Sequence, residues 1–160
     1  MGHKQIAIVV PADATSNIRL RLTGFREEVT NQGMDPQQII TVINSPLSKA
    51  GGFAAAGAVI DSETTAVFTV NDEMAIGLYR GLKNKGIHVP TDISIMGYDG
   101  IDLGTYVEPE LTTIQQPISR MGELAAQLLI NRIQKPNIDR QVIELPVRLI
   151  ERKSVTVPKK

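Results

Sequence analysis

Short runs of β-branched residues alternate with longer amphipathic segments along the whole chain. The short runs predict strands at residues 6–10, 39–43, 66–70, 93–96, 112–115 and 141–149. The longer segments predict helices at residues 16–32, 48–60, 73–85 and 118–133. Parallel strands need a crossover connection, usually a helix, and these crossovers cover both faces of the sheet. The alternation therefore predicts an α/β fold in which helices flank a mostly parallel sheet.

Length, charge and cysteine content exclude several kinds of protein. With 160 residues and no stretch that has the composition of a linker, the chain is predicted to form a single domain. Its 17 Lys and Arg residues balance its 17 Asp and Glu residues, so no net charge draws the whole chain onto nucleic acid. The lack of cysteine excludes disulfides, thiolate catalysis and zinc sites with cysteine ligands.

The apolar runs of the sequence are too short for a membrane span, which needs roughly 18 residues. The apolar run after Lys4 is also shorter than the core of a secretory signal, which has roughly 7 to 15 residues. We therefore expect a cytoplasmic protein that has no membrane partner.

Two of the predicted strands lead into polar residues that suit ligand binding. Asn71 and Asp72 follow the third strand, and Asp99 lies past the end of the fourth. Ligands of open parallel sheets bind beyond the carboxyl ends of the strands, and Arg21, early in the first helix, can reach the same edge. Structural roles are also open: Asp72 as a helix cap, Asp99 as a turn residue before Gly100, and Arg21 as a solvated side chain.

Six stretches of the chain resemble the effector-binding region of bacterial repressors of the LacI/GalR family. In family order, and over nearly the whole chain, they are GHKQIAIV, RLRLTGF, FTVNDEMAIG, VPTDISIMGYD, PELTTIQQPISRMGELAAQLL and LPVRLIERKSV. The resemblance implies one Rossmann-like half of a type I periplasmic-binding-protein-like fold. It also implies a small effector, a sugar or a nucleobase, held between two such halves, and no cofactor.

The resemblance assigns ligand contacts to particular residues. They are Arg21, Asn71, Asp99, Gln116, Asn17 and Leu47. A carboxylate accepts hydrogen bonds from sugar hydroxyls, a guanidinium donates them and an amide does both. Leu47 stands where the family often has an aromatic residue that stacks on the ligand, and Gly100 stands where a second acidic residue is common. These departures leave the ligand unnamed.

The resemblance further implies a division within the chain. Residues 1–116 and 146–156 would form the core of a C-terminal subdomain, while residues 117–145 would supply a helix and a strand that pack on a first subdomain. Neither that subdomain nor a helix-turn-helix headpiece matches any part of this sequence. The chain is therefore expected to be a fragment that meets DNA only through a headpiece outside it, and its last helix should need a partner, which we expect to be another molecule.

A homodimer is also expected. Gly77 and Gly81 lie one helical turn apart, which permits another backbone to approach closely, although packing within the chain is the alternative. In the family this helix, the helix that begins near Ser48 and the loop around Tyr106 form the dimer contact. The predicted contact residues are thus Met74, Gly77, Gly81 and Tyr106, with core packing as the alternative for Met74 and Tyr106.

The sequence lacks the motifs of common enzyme classes, such as G-x-G-x-x-G, the P-loop, G-x-S-x-G and H-E-x-x-H. We predict no catalytic residue and no metal site. A metal-dependent hydrolase that uses Asp72, Asp99 and Asp102 remains an alternative, because clustered acids also form metal sites. A periplasmic solute-binding protein is the nearer alternative, although no export signal is visible and the ending LPVRLIERKSV argues against it.

Overall fold

The computed structural model describes residues 1–159 and contains a six-stranded sheet. The strands are β1 (Ile6–Val10), β2 (Ile40–Asn44), β3 (Ala66–Thr69), β4 (Ser94–Asp99), β5 (Thr112–Gln115) and β6 (Arg148–Ile150). The helices are α1 (Ser16–Asn31), α2 (Pro36–Ile39), α3 (Lys49–Asp61), α4 (Asp72–Asn84) and α5 (Ile118–Gln134), with a 3-10 helix at Asp102–Thr105.

The strands lie in the order β2-β1-β3-β4-β5-β6. The first five strands pair in parallel, and β6 alone in this sheet runs antiparallel to its neighbour β5. The predicted α/β class with a mostly parallel sheet is therefore confirmed. The strand order reverses at β1, which has β2 on one side and β3 on the other, and such a switch point opens a crevice at the carboxyl ends of the strands.

The backbones of helices α3 and α4 pack so closely against each other that only glycine fits at the points of contact. A Cβ atom at Gly77 would lie 1.9 Å from the carbonyl oxygen of Lys49, and one at Gly52 would lie 2.0 Å from that of Met74. The close approach of another backbone to Gly77, which the sequence predicted, is therefore made by a helix of the same chain. Met74, Gly77 and Gly81 are buried at this helix contact, as the alternative of packing within the chain expected. Their contact with a second copy stays a prediction. Of the four predicted dimer residues, Tyr106 is the exposed one, at 82%.

The last strand is shorter than predicted. The sequence predicted a strand over residues 141–149, whereas β6 covers Arg148–Ile150. A strand needs a hydrogen-bonding neighbour, and β5, the neighbour of β6, ends at Gln115, which pairs with Arg148. Residues before Arg148 therefore have no partner strand in the described chain, and Val142 is 77% exposed.

Helix α5 extends away from the core. None of its residues is buried, and Leu124 and Leu128 are its only half-buried ones. Its exposed apolar residues are Ile118, Met121, Leu129, Ile130 and Ile133. The described chain thus leaves most of the predicted apolar stripe uncovered, as expected for a helix that packs on something else.

Among the helices of residues 1–159, none combines the length and apolar character that crossing a membrane requires.

Candidate functional site

A cleft of about 380 Å³ opens at the carboxyl ends of the parallel strands. The residues that line it are Thr15, Asn17, Ile18, Arg21, Leu47, Asn71, Asp99, Ile101, Gln116 and Ile118. The structure therefore brings together the six residues that the resemblance assigned to ligand binding. Four further lining residues were not predicted from the sequence: Thr15, Ile18, Ile101 and Ile118. The signal for them was weak, since they are ordinary residues of the loops and helix ends that follow the strands.

Asp99 is the one carboxylate among the residues that line this cleft. It is the last residue of β4 rather than a residue beyond it, because the strand is longer than predicted. Its Oδ1 atom accepts hydrogen bonds from Nε2 of Gln116 at 2.7 Å and from Nη2 of Arg21 at 3.3 Å. No described side chain or backbone group donates to Oδ2, so this oxygen is available to a ligand. Burial raises the pKa of the Asp99 carboxyl above its ordinary value, although the charge of Arg21 opposes this shift.

The guanidinium of Arg21 is held from three sides. It donates to Oδ1 of Asp99 and to the backbone carbonyl of Val70, and it lies 3.8 Å from the centre of the Tyr98 ring. A cation over an aromatic face is attracted by the ring quadrupole. Tyr98 is thus a support that the sequence analysis missed, although its position beside Asp99 in the GYD stretch was a usable signal.

Asn71, and not Asp72, caps the helix that follows β3. The Oδ1 atom of Asn71 caps α4 by accepting from the backbone N–H of Met74 at 2.9 Å, which leaves its amide NH₂ group for the cleft. Asp72 does not cap the helix, so that alternative is wrong. Its carboxylate is completely buried beneath the cleft.

The remaining predicted contacts lie on the rim of the cleft. Asn17, at the start of α1, accepts through Oδ1 from the hydroxyl of Thr15. Leu47 precedes α3 and is 45% exposed. Because the lining residues named above include no aromatic side chain, the described part of the cleft offers no flat surface on which a ring could stack.

The aspartates proposed for a metal-dependent hydrolase do not converge. Within residues 1–159, no group of three or more His, Cys, Asp or Glu side chains is arranged to hold a metal ion. Both oxygens of Asp72 already accept hydrogen bonds from protein groups. The geometry therefore favours a binding cleft over this alternative.

Comparison with known proteins agrees with the fold. Residues 1–155 match the family described as periplasmic binding protein-like domain. The chain is 39% identical to the ribose operon repressor of Escherichia coli K12, and 37% identical to the HTH-type transcriptional repressor PurR of Photobacterium profundum. Each match covers 96% of this chain but 47% and 46% of those proteins, so the chain spans about half the length of these curated relatives.

Two solved structures of LacI family transcriptional regulators, each with bound ribose, also resemble the chain. The regulator from Enterococcus faecium is 41% identical with a TM-score of 0.94, and the regulator from Enterococcus faecalis V583 is 43% identical with a TM-score of 0.91. Both matches cover 99% of this chain, and they cover 59% and 56% of those chains. The chain therefore belongs to the periplasmic binding protein-like domain family and corresponds to the effector-binding portion of LacI-family regulators.

Proposed function

We propose that this chain is the sugar-sensing part of a transcriptional repressor and that its effector is ribose. The observation that carries the proposal is the cleft itself, in which a carboxylate, a guanidinium and two amides meet at the strand ends between apolar residues. Cyclic sugars present hydroxyl groups that both donate and accept, and this set of side chains complements them. DNA binding by the whole protein would depend on a headpiece outside these residues.

The relatives include a ribose operon repressor and PurR, so a purine is the competing effector. A planar base is usually held by stacking on an aromatic side chain, and the described lining of the cleft has none. The free oxygen of Asp99 suits a sugar better, because it can accept from a pair of neighbouring hydroxyls. The cleft thus supports a sugar over a base.

The choice can be tested by calorimetry on the intact protein that contains this chain, with ribose, 2-deoxyribose and hypoxanthine as ligands. We expect ribose to bind and hypoxanthine not to bind. We expect 2-deoxyribose to bind about 10- to 100-fold more weakly, because an absent hydroxyl leaves one buried polar group unpaired at a cost of about 1–3 kcal/mol. Tighter binding of hypoxanthine than of ribose would refute the sugar assignment.

Sensing is also a better interpretation than transport or catalysis. The curated relatives named above are repressors rather than solute-binding proteins or enzymes. Repressors act where the DNA is, which supports a cytoplasmic location for this protein.

We further propose that copies of the 160-residue chain associate through α5. Its exposed apolar residues would each stabilise a contact by about 1.5–3 kcal/mol if fully buried, and the described chain does not cover them. Leu129 and Ile133 lie one helical turn apart and are 62% and 70% exposed. We expect light scattering to show dimers or larger assemblies, and the double variant Leu129→Asp, Ile133→Asp to shift them to monomer.

A matched control for this experiment is the double variant Leu20→Asp, Val157→Asp. These residues are also exposed, at 69% and 65%, but lie outside α5. Their replacement should leave the assembly unchanged. A monomeric parent chain, or an equal response to both double variants, would argue against association through α5.

A further inference from the structure

Asp72 carries a completely buried carboxylate that contacts strand β5 and the turn after β4. Its Oδ2 atom accepts from the backbone N–H groups of Gly100 at 2.8 Å and Ile101 at 2.9 Å. Its Oδ1 atom accepts from the hydroxyl of Thr113, on β5, at 2.6 Å. One side chain at the first residue of α4 therefore ties α4 to the end of β4 and to β5.

The backbone that Asp72 holds has an unusual conformation. Asp99 has φ of 121° and Gly100 has φ of 77°, and only Gly100 is of a residue type that adopts such angles readily. A non-glycine residue keeps such a conformation only when surrounding contacts enforce it. The two hydrogen bonds to Asp72 start at the next two residues of the chain, so they enforce the turn directly after Asp99.

Gly97 shows how closely β4 passes this carboxylate. A Cβ atom at position 97 would lie 2.1 Å from Oδ1 of Asp72, so the strand can pass only because it has no side chain there. The carboxylate of Asp72, Gly97 and the turn after Asp99 thus pack closely together directly behind the cleft. Asp72 itself is not among the residues that line the cleft.

We infer that Asp72 is a positioning residue, which fixes the turn after β4 so that Asp99 presents its free oxygen to the effector. This inference rests on the proposed function, because it assumes that Asp99 contacts the ligand. Two of the partners of Asp72 are backbone N–H groups, which can only donate, and the third is a hydroxyl that donates here. A carboxylate can accept from all three at once. Asparagine has nearly the same shape, but its neutral amide oxygen accepts from the two N–H groups less strongly than a carboxylate does. Its NH₂ group also forces the hydroxyl of Thr113 to accept instead of donate, and both changes loosen the turn.

The test uses the intact protein and the variants Asp72→Asn, Asp99→Asn and the combination of both. Ribose affinity is measured by calorimetry, and hydrogen exchange is measured at the amides of Gly100 and Ile101. We expect Asp72→Asn to speed exchange at these amides and to weaken ribose binding about tenfold or more. If Asp72 acts through Asp99, adding Asp72→Asn to Asp99→Asn should cost little further affinity, because residues that act together are not additive.

The control for lost stability is Ser154→Ala. Ser154 is also completely buried, donates to the carbonyl of Ile95 and accepts from the N–H of Thr112, so it joins β4 to β5 away from the cleft. This variant should lower the melting temperature without changing ribose affinity.

Unchanged ribose affinity in Asp72→Asn would overturn the inference, as would an equal loss of affinity whether or not residue 99 is aspartate. If the unsubstituted protein does not bind ribose, the proposed effector fails on its own. Exchange at Gly100 and Ile101 then decides the role of Asp72: faster exchange in Asp72→Asn supports it, and unchanged exchange refutes it.

Discussion

Gly77→Ala should destabilise the protein by about 3 kcal/mol or more, a large part of the roughly 5–15 kcal/mol that holds a typical domain folded. The added methyl group would lie 1.9 Å from the carbonyl oxygen of Lys49 and 2.9 Å from the backbone nitrogen of Phe53. Both obstacles belong to the backbone of α3, so no side chain can rotate away to make room. The two helices would have to separate, which would open the core between them. Urea denaturation followed by circular dichroism measures the loss.

The matched control is Gly24→Ala on α1. A Cβ atom at Gly24 meets no atom within 4 Å, so alanine there should stabilise the protein by roughly 0.5–1 kcal/mol through its higher helix propensity. If Gly77→Ala and Gly24→Ala have similar free energies of unfolding, the close packing of α3 and α4 is incorrect.

Asp99→Ala and Arg21→Ala should each weaken effector binding by roughly 100-fold or more while operator binding is retained. Asp99→Ala removes the acceptor of the cleft and leaves Gln116 and Arg21 without their shared partner. Arg21→Ala leaves the half-buried carboxylate of Asp99 without its cation, and an uncompensated charge is costly when water is excluded by ligand. The measurement is calorimetry with ribose, together with effector release of operator DNA by the intact protein.

Exposed residues close in sequence to Asp99 and Arg21 provide the controls for these two variants. Asp102→Ala removes an exposed acid three residues after Asp99, and Arg19→Ala removes an exposed base two residues before Arg21. Both should bind ribose as the unsubstituted protein does. Unchanged effector midpoints in Asp99→Ala and Arg21→Ala would show that the cleft is not the effector site.

Much of the fold follows from patterns of neighbouring residues. The bounds of β1 and β5 agree with the sequence prediction. This is because the residues that specify a strand and its flanking turns are close together in the chain. The same reasoning placed Asn71 and Asp99 at one edge of the sheet, since parallel strands bring their carboxyl ends together. The strand at the end of the chain was harder to predict. The extent of β6 depends on where its neighbour β5 ends, and no local sequence pattern near β6 shows this.

Unlike the strands and helices, the site depends on contacts between residues that are far apart in the chain. Sequence reasoning suggested that Arg21 and Asp99 belong to one cleft, but their hydrogen bond joins residues that are 78 positions apart. The link from Asp72 to Gly100 spans 28 positions, and the link from Asp72 to Thr113 spans 41. Nothing in the sequence distinguished a capping carboxylate at position 72 from one that supports a turn, because both roles use the same residue at the start of a helix.

Short-range periodicity, together with rules that all parallel sheets obey, was enough to predict the alternation of strands and helices, the parallel sheet and the edge at which polar residues gather. The folded chain was needed to see which groups pair at that edge and that α3 of the same chain makes the close approach at Gly77. This is because a glycine shows only that another backbone can come close, and a carboxylate shows only that it can accept from donors. The packing of distant segments determines which backbone and which donors are there.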